Sequence, residues 1–183
     1  MVILGGNMMF MSGFTDAFSE ATDDQENWEY QISAFPSGLE NITSWAEDNT
    51  SAFELTLVAQ ASIAGTTKAI DLKGNDVLSE QDDALHRLNL LEGNLPDSGQ
   101  SPVQGILDEG SSELEGYAIG DVITIDFEGE QHNIEIVGIA RELSRSIYMH
   151  RIDVQPIVGE EANGALLVTA SDADIEDIRF STI

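Results

Sequence analysis

The sequence between residues 122 and 139 reads Val122-Ile123-Thr124-Ile125-Asp126-Phe127, then Glu128-Gly129-Glu130-Gln131, and after His132 continues Asn133-Ile134-Glu135-Ile136-Val137-Gly138-Ile139. In both outer stretches β-branched residues alternate mostly with polar ones, which is the pattern of a strand with one buried face. The polar, glycine-containing stretch between them is typical of a hairpin turn. This part of the chain therefore predicts an antiparallel hairpin whose apolar face must be covered by other elements.

The first part of the chain also predicts strands. Apolar residues alternate from Trp28 to Phe35 and again from Phe53 to Ile63, each with period two. Between these segments, Ser37 followed by Glu40 is a capping box that starts a helix. Residues 66–72 predict a returning strand, which ends at a turn over residues 73–76.

The segments that follow the first hairpin are shorter. Ser79 with Asp82 predicts a short helix that carries Leu85 and Leu88. Glycine, proline and asparagine over residues 93–99 predict a turn and a boundary between two lobes. We further predict a strand at 103–107, a helical turn at 112–117, a strand at 165–170 and a helix that starts at Ser171.

The charge balance excludes some partners. The chain has 34 Asp and Glu residues against 7 Lys and Arg residues, a formal net charge of −27. This charge repels phosphate backbones and anionic membrane surfaces, so we expect no nucleic-acid binding. A solvated acidic surface without any specific partner explains the same composition. The absence of cysteine excludes disulfides, thiolate nucleophiles and cysteine-type zinc sites.

The N-terminal residues 1–11 are mostly apolar but far fewer than the about 20 residues that span a bilayer. Two interpretations remain open. The stretch is either the outer end of a truncated transmembrane helix or an N-terminal element that packs on the core.

No group of residues predicts catalysis, cofactor binding or metal binding. His86, His132 and His150 lack the spacing of a metal site. The acidic residues Asp172, Asp174, Glu176 and Asp177 resemble the start of a calcium loop but lack its glycine and distal glutamate, and negative charge at a helix N-terminus explains them better. Substrate-binding residues cannot be chosen from the sequence. Arg141 and Arg145 could form ion pairs between the lobes or be solvated surface charges.

The segment from Leu88 to Ala170 resembles the extracytoplasmic core domain of the MacB/LolC/FtsX family of ABC transporter permeases. The similarity lies in the ordered sequence of short motifs Leu90-Leu91-Glu92-Gly93-Asn94-Leu95-Pro96, Ile119-Gly120-Asp121-Val122-Ile123-Thr124-Ile125, Glu135-Ile136-Val137-Gly138-Ile139, Ile147-Tyr148-Met149, Gln155-Pro156-Ile157-Val158-Gly159 and Ala165 to Val168. This sequence departs from the family's pattern at Gly105, a glycine that interrupts the predicted strand at 103–107.

The resemblance implies an α+β, two-lobed fold, with a porter-like α/β lobe and an inserted small strand-rich lobe. The first lobe would comprise residues 25–77 plus 147–183, the inserted lobe residues 78–146, and residues 1–24 would be a connector from a transmembrane helix. Such a domain lies on the extracytoplasmic side of the cell membrane and is not an enzyme.

The resemblance also implies partners. The domain would couple cytoplasmic ATP hydrolysis, by an ATPase subunit, through its own transmembrane helices to substrate extrusion or partner activation by mechanical motion. The complex would contain a dimer of permeases, whereas the isolated domain would be a monomer. The alternative is a stand-alone extracytoplasmic binding module without catalytic activity. Transmembrane helices encoded on both sides of the chain would favour the permease.

Overall fold

The computed structural model of the chain describes residues 30–34, 43–44, 46–48, 50, 52–81, 84–142, 144–159 and 163–169. Residues 43–44 and 46–48 are helical. The elements with defined bounds are β1 (Tyr30–Ala34), β2 (Ala52–Ile63), β3 (Ala69–Asn75), β4 (Leu90–Gly93), β5 (Val103–Asp108), α1 (Glu109–Glu115), β6 (Val122–Phe127), β7 (Glu130–Ala140), β8 (Ser146–His150), α2 (Arg151–Val158) and β9 (Asn163–Thr169).

The strands form one mixed sheet that closes on itself. Its order is β1-β9-β2-β3-β8-β5-β7-β4, and β6 pairs with both β2 and β7. The strands β2, β3, β8, β5, β7 and β6 therefore form a ring, called the closed sheet below. β1 and β9 extend it beyond β2, and β4 extends it beyond β7.

Alternating side chains of these strands fill the interior of the closed sheet. The core is almost entirely aliphatic, because every second residue of each strand points inward. Its buried members are Leu57, Ala59, Ala61, Ile63, Ile70, Leu72, Leu107, Ile123, Ile125, Ile134, Ile136, Ile147 and Met149, joined by Val154 and Val158 of α2. Helix α2 thus packs its buried face into the same core.

Gly105 is required by this packing. A β-carbon at this position would lie 2.6 Å from Ile147 Cγ2 and 3.1 Å from Ile134 Cγ2, so there is no room for a side chain. The sequence predicts a strand at residues 103–107 that is interrupted at this glycine, but in the structure β5 continues through it. The glycine lets β5 approach the interior side chains of β7 and β8 closely.

The ends of helix α1 are set by its capping residues, Asp108 and Gly116. Asp108 Oδ1 accepts a hydrogen bond from the Ser111 N–H at 2.8 Å, and Gly116 ends the helix with a φ of 76°. An N-cap carboxylate and a C-terminal glycine are the preferred helix ends. The helical turn predicted at 112–117 is confirmed, although the helix begins earlier, at Glu109.

The central hairpin is confirmed as β6 and β7, with Val122 opposite Glu135 and Phe127 opposite Glu130. Its turn is shorter than predicted. Only Glu128 and Gly129 lie between the strands, both with positive φ (53° and 88°), as two-residue turns of this twist require.

The helix predicted from Ser79 to Leu88 is wrong. The chain turns back instead: the Leu88 N–H donates to Ser79 O at 2.8 Å, and the Gln81 N–H donates to Ser79 Oγ. Leu78 and Leu88 are both buried and pack with Ile106 and Tyr148 on the outer face of β5 and β8. Tertiary packing of both leucines therefore outweighs the local capping signal.

Two shorter predictions also need correction. The turn predicted over residues 73–76 begins too early, because β3 continues through Asn75 while it pairs with β2 on one side and β8 on the other. The stretch from Leu90 to Pro96, interpreted as a turn, begins with the strand β4, which pairs with β7. In both places, hydrogen bonds to a strand that is distant in the sequence keep the backbone extended where the local residues predict a turn. The helix predicted from Ser171 lies outside the described residues.

The predicted division into residues 25–77 plus 147–183 and residues 78–146 stays a prediction. The described strands of the two parts meet at two short seams. Ser62 and Ile63 of β2 pair with Asp126 and Ile125 of β6, and Ile106 and Leu107 of β5 pair with Tyr148 and Ile147 of β8. Both parts contribute to one core.

Candidate functional site

The three histidines lie in separate places. His86 Nδ1 is 3.0 Å from Asn75 Nδ2, and its ring meets the ring of Tyr148 edge-on at a centroid distance of 5.5 Å. His150 Nε2 lies 3.0 Å from Pro96 O. His132 lines a cavity at one end of the closed sheet. Within the described ranges, no three His, Asp or Glu side chains are arranged to hold a metal ion.

A buried polar network, which the sequence did not reveal, lies on the outer face of β3 and β8. Lys73 Nζ donates hydrogen bonds to Ser144 Oγ and to Tyr148 Oη, each at 2.8 Å. The Tyr148 hydroxyl in turn donates to Glu142 Oε2 at 2.8 Å. Tyr148 is 1% exposed. The network is therefore a chain of charge-assisted hydrogen bonds in which a cation and a carboxylate share one phenol.

Asp108 extends this arrangement towards α1. While its Oδ1 caps the helix, its Oδ2 accepts a hydrogen bond from the Ser146 N–H at 3.0 Å. Asp108 and Ser146 are both fully or almost fully buried. One buried carboxylate therefore ties the end of β5 and the start of α1 to the start of β8.

A second buried carboxylate lies at the other end of the same face. Glu54 is 4% exposed, and its Oε1 accepts a hydrogen bond from the Val77 N–H at 3.1 Å. Asn75 is buried beside it and contacts His86. These contacts fasten the segment that follows β3 against β2.

Burial shifts the protonation of both groups. Burial raises the pKa of Glu54 from 4.5 to about 7, against the opposing effect of the Val77 hydrogen bond. Burial, and then the positive charge of Lys73, lower the pKa of His86 from 6.5 to about 4. At neutral pH His86 is therefore uncharged, and Glu54 is close to its titration midpoint.

Burial also acts on the Lys73 network. It lowers the pKa of Lys73, while the negative charge of Glu142 opposes this change. It raises the pKa of Tyr148 well above its ordinary value, and the nearby charge of Glu142 adds to the rise. A lysine beside a serine can activate a nucleophile. Here, however, Lys73 is held between Ser144 and a phenol whose proton is engaged by Glu142, which is the arrangement of a structural ion network.

We expect Tyr148→Phe to lower the free energy of unfolding by about 2 kcal/mol, because it removes two hydrogen bonds to charged groups and leaves Lys73 and Glu142 without their shared partner. Urea unfolding measures the loss. Tyr117→Phe is the control, because the Tyr117 hydroxyl forms no hydrogen bond within the part of the chain that the structure describes. Equal losses in the two variants would show that the network adds no stability.

The two arginines, for which the sequence left open ion pairs between the lobes or solvated surface charge, form ion pairs within the predicted inserted lobe. Arg145 Nη2 pairs with Glu115 Oε1 at 3.0 Å, and Arg141 Nε lies 3.5 Å from Glu109 Oε2, so both pairs join residues of the predicted inserted lobe. An ion pair between the predicted lobes is formed by Lys68, which contacts the same Glu115. This pairing depends on where α1 packs, which residue spacing does not reveal.

A cavity of about 540 Å³ opens at one end of the closed sheet. It lies between the segment before β5, the first residue of β6, residues 131–133 of β7 and Ile157 of α2. His132 lies two residues before the inward-facing Ile134, on the same face of β7. The cavity is therefore a recess at the open end of the core.

Among the described residues, no helix is long and apolar enough to cross a membrane.

Comparison with known proteins identifies the fold. No protein-family model matches the sequence, and no curated protein matches it either. Solved structures do match. The extracellular domain of the noncanonic ABC-type transporter YknZ from Gram-positive bacteria has a TM-score of 0.53 and 17% identity, over 75% of this chain and 75% of that one.

The periplasmic region of MacB from Actinobacillus actinomycetemcomitans has a TM-score of 0.51 and 14% identity, over 78% of this chain and 69% of that one. At such identities the likeness concerns the fold, and it confirms the similarity that the sequence motifs indicated. The chain shares its fold with these extracellular and periplasmic domains of ABC-type transporters.

Proposed function

We propose that this chain is the extracytoplasmic domain of an ABC transporter permease, on the outer side of the cell membrane. The observation that carries the proposal is the shared fold, which covers three quarters of the chain in the match to the YknZ extracellular domain. The net charge of −27 agrees with a domain that does not bind the membrane surface, because anionic lipid headgroups repel it.

The position of the outermost strands supports the proposal. β1 and β9 pair antiparallel, and Tyr30, the first residue of β1, lies opposite Val168 near the end of β9. The start of β1 and the end of β9 therefore lie side by side. A domain inserted between two membrane-spanning helices needs its two connections close together, and the neighbouring ends of β1 and β9 agree with that requirement.

The proposed role is mechanical. An ATPase subunit would hydrolyse ATP in the cytoplasm, and the protein's own transmembrane helices would move this domain to extrude a substrate or to activate a partner. The domain would carry out no chemistry itself. Two permeases would form a dimer in the complex, and the isolated chain would be a monomer.

The two proposed lobes would move at the short seams. Each seam joins strands over only two residue pairs, β2 with β6 and β5 with β8. β2 and β3, in contrast, pair over Thr56 to Ser62. Because the ladder between the lobes is so short, we propose that any motion between residues 25–77 plus 147–183 and residues 78–146 opens these seams first.

The location can be tested in a sequence that contains no cysteine. Leu114 of α1 is 78% exposed, whereas Ser111 of the same helix is fully buried. We expect Leu114→Cys, placed in the full-length protein, to react in intact cells with a maleimide that cannot cross membranes. Ser111→Cys should react only after denaturation. Labelling of Leu114→Cys only after cell lysis would place the domain in the cytoplasm and contradict the proposal.

A biochemical control separates transport from enzymatic activity. The isolated chain should hydrolyse no ATP, and robust nucleotide hydrolysis by it would contradict the proposal. The stand-alone binding module predicts the same labelling but no association with membranes. Membrane fractionation of the full-length protein, and co-purification with an ATPase subunit, therefore distinguish the two functions.

A further inference from the structure

Glu115, the last residue of α1, has two basic partners. Lys68 Nζ contacts its Oε2, and Arg145 Nη2 donates to its Oε1 at 3.0 Å. Because the chain has 34 acidic residues and only 7 basic ones, few of its carboxylates can have even one such partner. The Glu115 side chain is 13% exposed, whereas those of Lys68 and Arg145 are 47% and 38% exposed. Two cations from the surface therefore converge on one largely shielded carboxylate.

The two cations come from different parts of the chain, each beside one of the two seams. Lys68 lies in the turn between β2 and β3, and the Ala64 N–H of the same turn donates to Thr124 O of β6 at 2.9 Å. Arg145 directly precedes β8, and its carbonyl accepts a hydrogen bond from the Asp71 N–H of β3 at 2.9 Å. Both of these backbone bonds cross between the predicted lobes. The Glu115 carboxylate therefore contacts the chain next to both seams.

The two ends of α1 are attached in different ways. At its N-terminal end, Asp108 accepts hydrogen bonds from the Ser111 and Ser146 N–H groups, and all three residues are buried. At its C-terminal end, the Glu115 ion pairs reach solvent through their cations. Water competes for the second attachment but is excluded from the first. The Glu115 end of α1 is therefore the end that can separate while Asp108 keeps the helix in place.

We propose that Glu115 is an electrostatic latch between the two predicted lobes. While both cations contact it, α1 is fixed to the turn of residues 64–68 and to the start of β8, so contacts besides the short ladders hold both seams closed. Partly exposed ion pairs contribute little free energy, so the latch can open without unfolding either lobe. The inference rests on the two-lobe division in the proposed function. Its test involves neither a membrane nor an ATPase, so the latch and the transport role can fail separately.

Amide hydrogen exchange of the ¹⁵N-labelled chain, followed by NMR, tests the latch. We expect Glu115→Gln to accelerate the exchange of the Ala64 and Asp71 N–H groups, which cross between the lobes, by about fivefold, the effect of losing two partly exposed ion pairs. The Ile136 N–H donates to Asp121 O at 2.8 Å within the predicted inserted lobe, and its exchange should not change. Equal acceleration of all three amides would show a general loss of stability and would overturn the inference.

Glu113→Gln is the matched control, because Glu113 is an exposed carboxylate of the same helix and pairs with no basic side chain in the described ranges. It should leave all three exchange rates unchanged. Lys68→Gln should accelerate the Ala64 exchange about twofold in the parent chain but add nothing to Glu115→Gln, because its partner is then already gone. The inference is overturned if Glu115→Gln leaves the Ala64 and Asp71 rates unchanged, if Glu113→Gln acts as strongly, or if the changes at residues 68 and 115 are additive.

Discussion

We expect Gly93→Ala to lower the free energy of unfolding by about 4 kcal/mol, more than the other substitutions considered. Gly93 ends β4 with a φ of 89°, a conformation that costs a residue with a β-carbon about 1–2 kcal/mol. A β-carbon there would also lie 2.2 Å from Val137 O and 2.8 Å from Gly138 Cα. Both atoms belong to the backbone of β7, so a side-chain rotation cannot relieve the overlap.

The neighbouring contacts explain why the chain passes so close. Gly93 pairs directly with Gly138, and the Asn94 N–H donates to Val137 O at 3.0 Å. Two facing glycines thus let β4 turn over β7 while that carbonyl keeps its hydrogen bond. An alanine would push β4 away from β7 and weaken this bond as well.

Gly120→Ala separates the two contributions. Gly120 has nearly the same φ, 91°, but a β-carbon there would meet no atom within 4 Å. We expect this variant to lose only the conformational part, about 1–2 kcal/mol. Denaturant unfolding of both variants, with an unchanged m-value, measures the difference. Equal losses would mean that β4 can move away from β7 without cost.

The second large effect is a gain of stability in Glu54→Gln, of about 3 kcal/mol at about pH 8 and close to zero at about pH 4. The folded-state pKa of Glu54 is raised from 4.5 to about 7 by burial. The folded state therefore holds this proton more tightly than the unfolded state. Its contribution to stability is complete below pH 4.5 and is lost as the pH rises through about 7.

Glutamine preserves the geometry while it removes the titration. Its Oε1 can accept from the Val77 N–H as the carboxylate does, and it needs no proton. His86 acts in the opposite direction. Because its pKa is lowered from 6.5 to about 4, its contribution is lost as the pH falls through that window. The two groups partly offset each other in the parent chain, so the difference between variant and parent isolates Glu54.

Thermal or urea unfolding across this pH range tests the prediction. Glu92→Gln is the control, since Glu92 is an exposed carboxylate of β4. This variant shows what the loss of one exposed carboxylate does to stability, so it separates the effect of burial at Glu54 from the effect of removing a charge. A stability difference for Glu54→Gln that is the same at both ends of the range would contradict a raised pKa for Glu54.

The local pattern predicted those elements whose own residues favour them. Alternation from Val122 to Ile139 predicted the central hairpin, and alternation from Phe53 to Ile63 predicted β2 almost to its ends. The order of short motifs between Leu90 and Val168 indicated the fold. Each of these signals depends on contacts between near neighbours or on one face of a strand, which the sequence records directly.

The tertiary structure alone decided what depends on distant partners. β3 extends through Asn75 because two strands pair with it, and the segment from Ser79 to Leu88 is not a helix because both Leu78 and Leu88 pack against Tyr148. The buried polar network and the cavity also depend on contacts between residues that are distant in the sequence. Lys73 and Tyr148 are 75 residues apart, and the cavity joins β5, β6, β7 and α2. No local spacing encodes such contacts, because closure of the sheet brings these residues together.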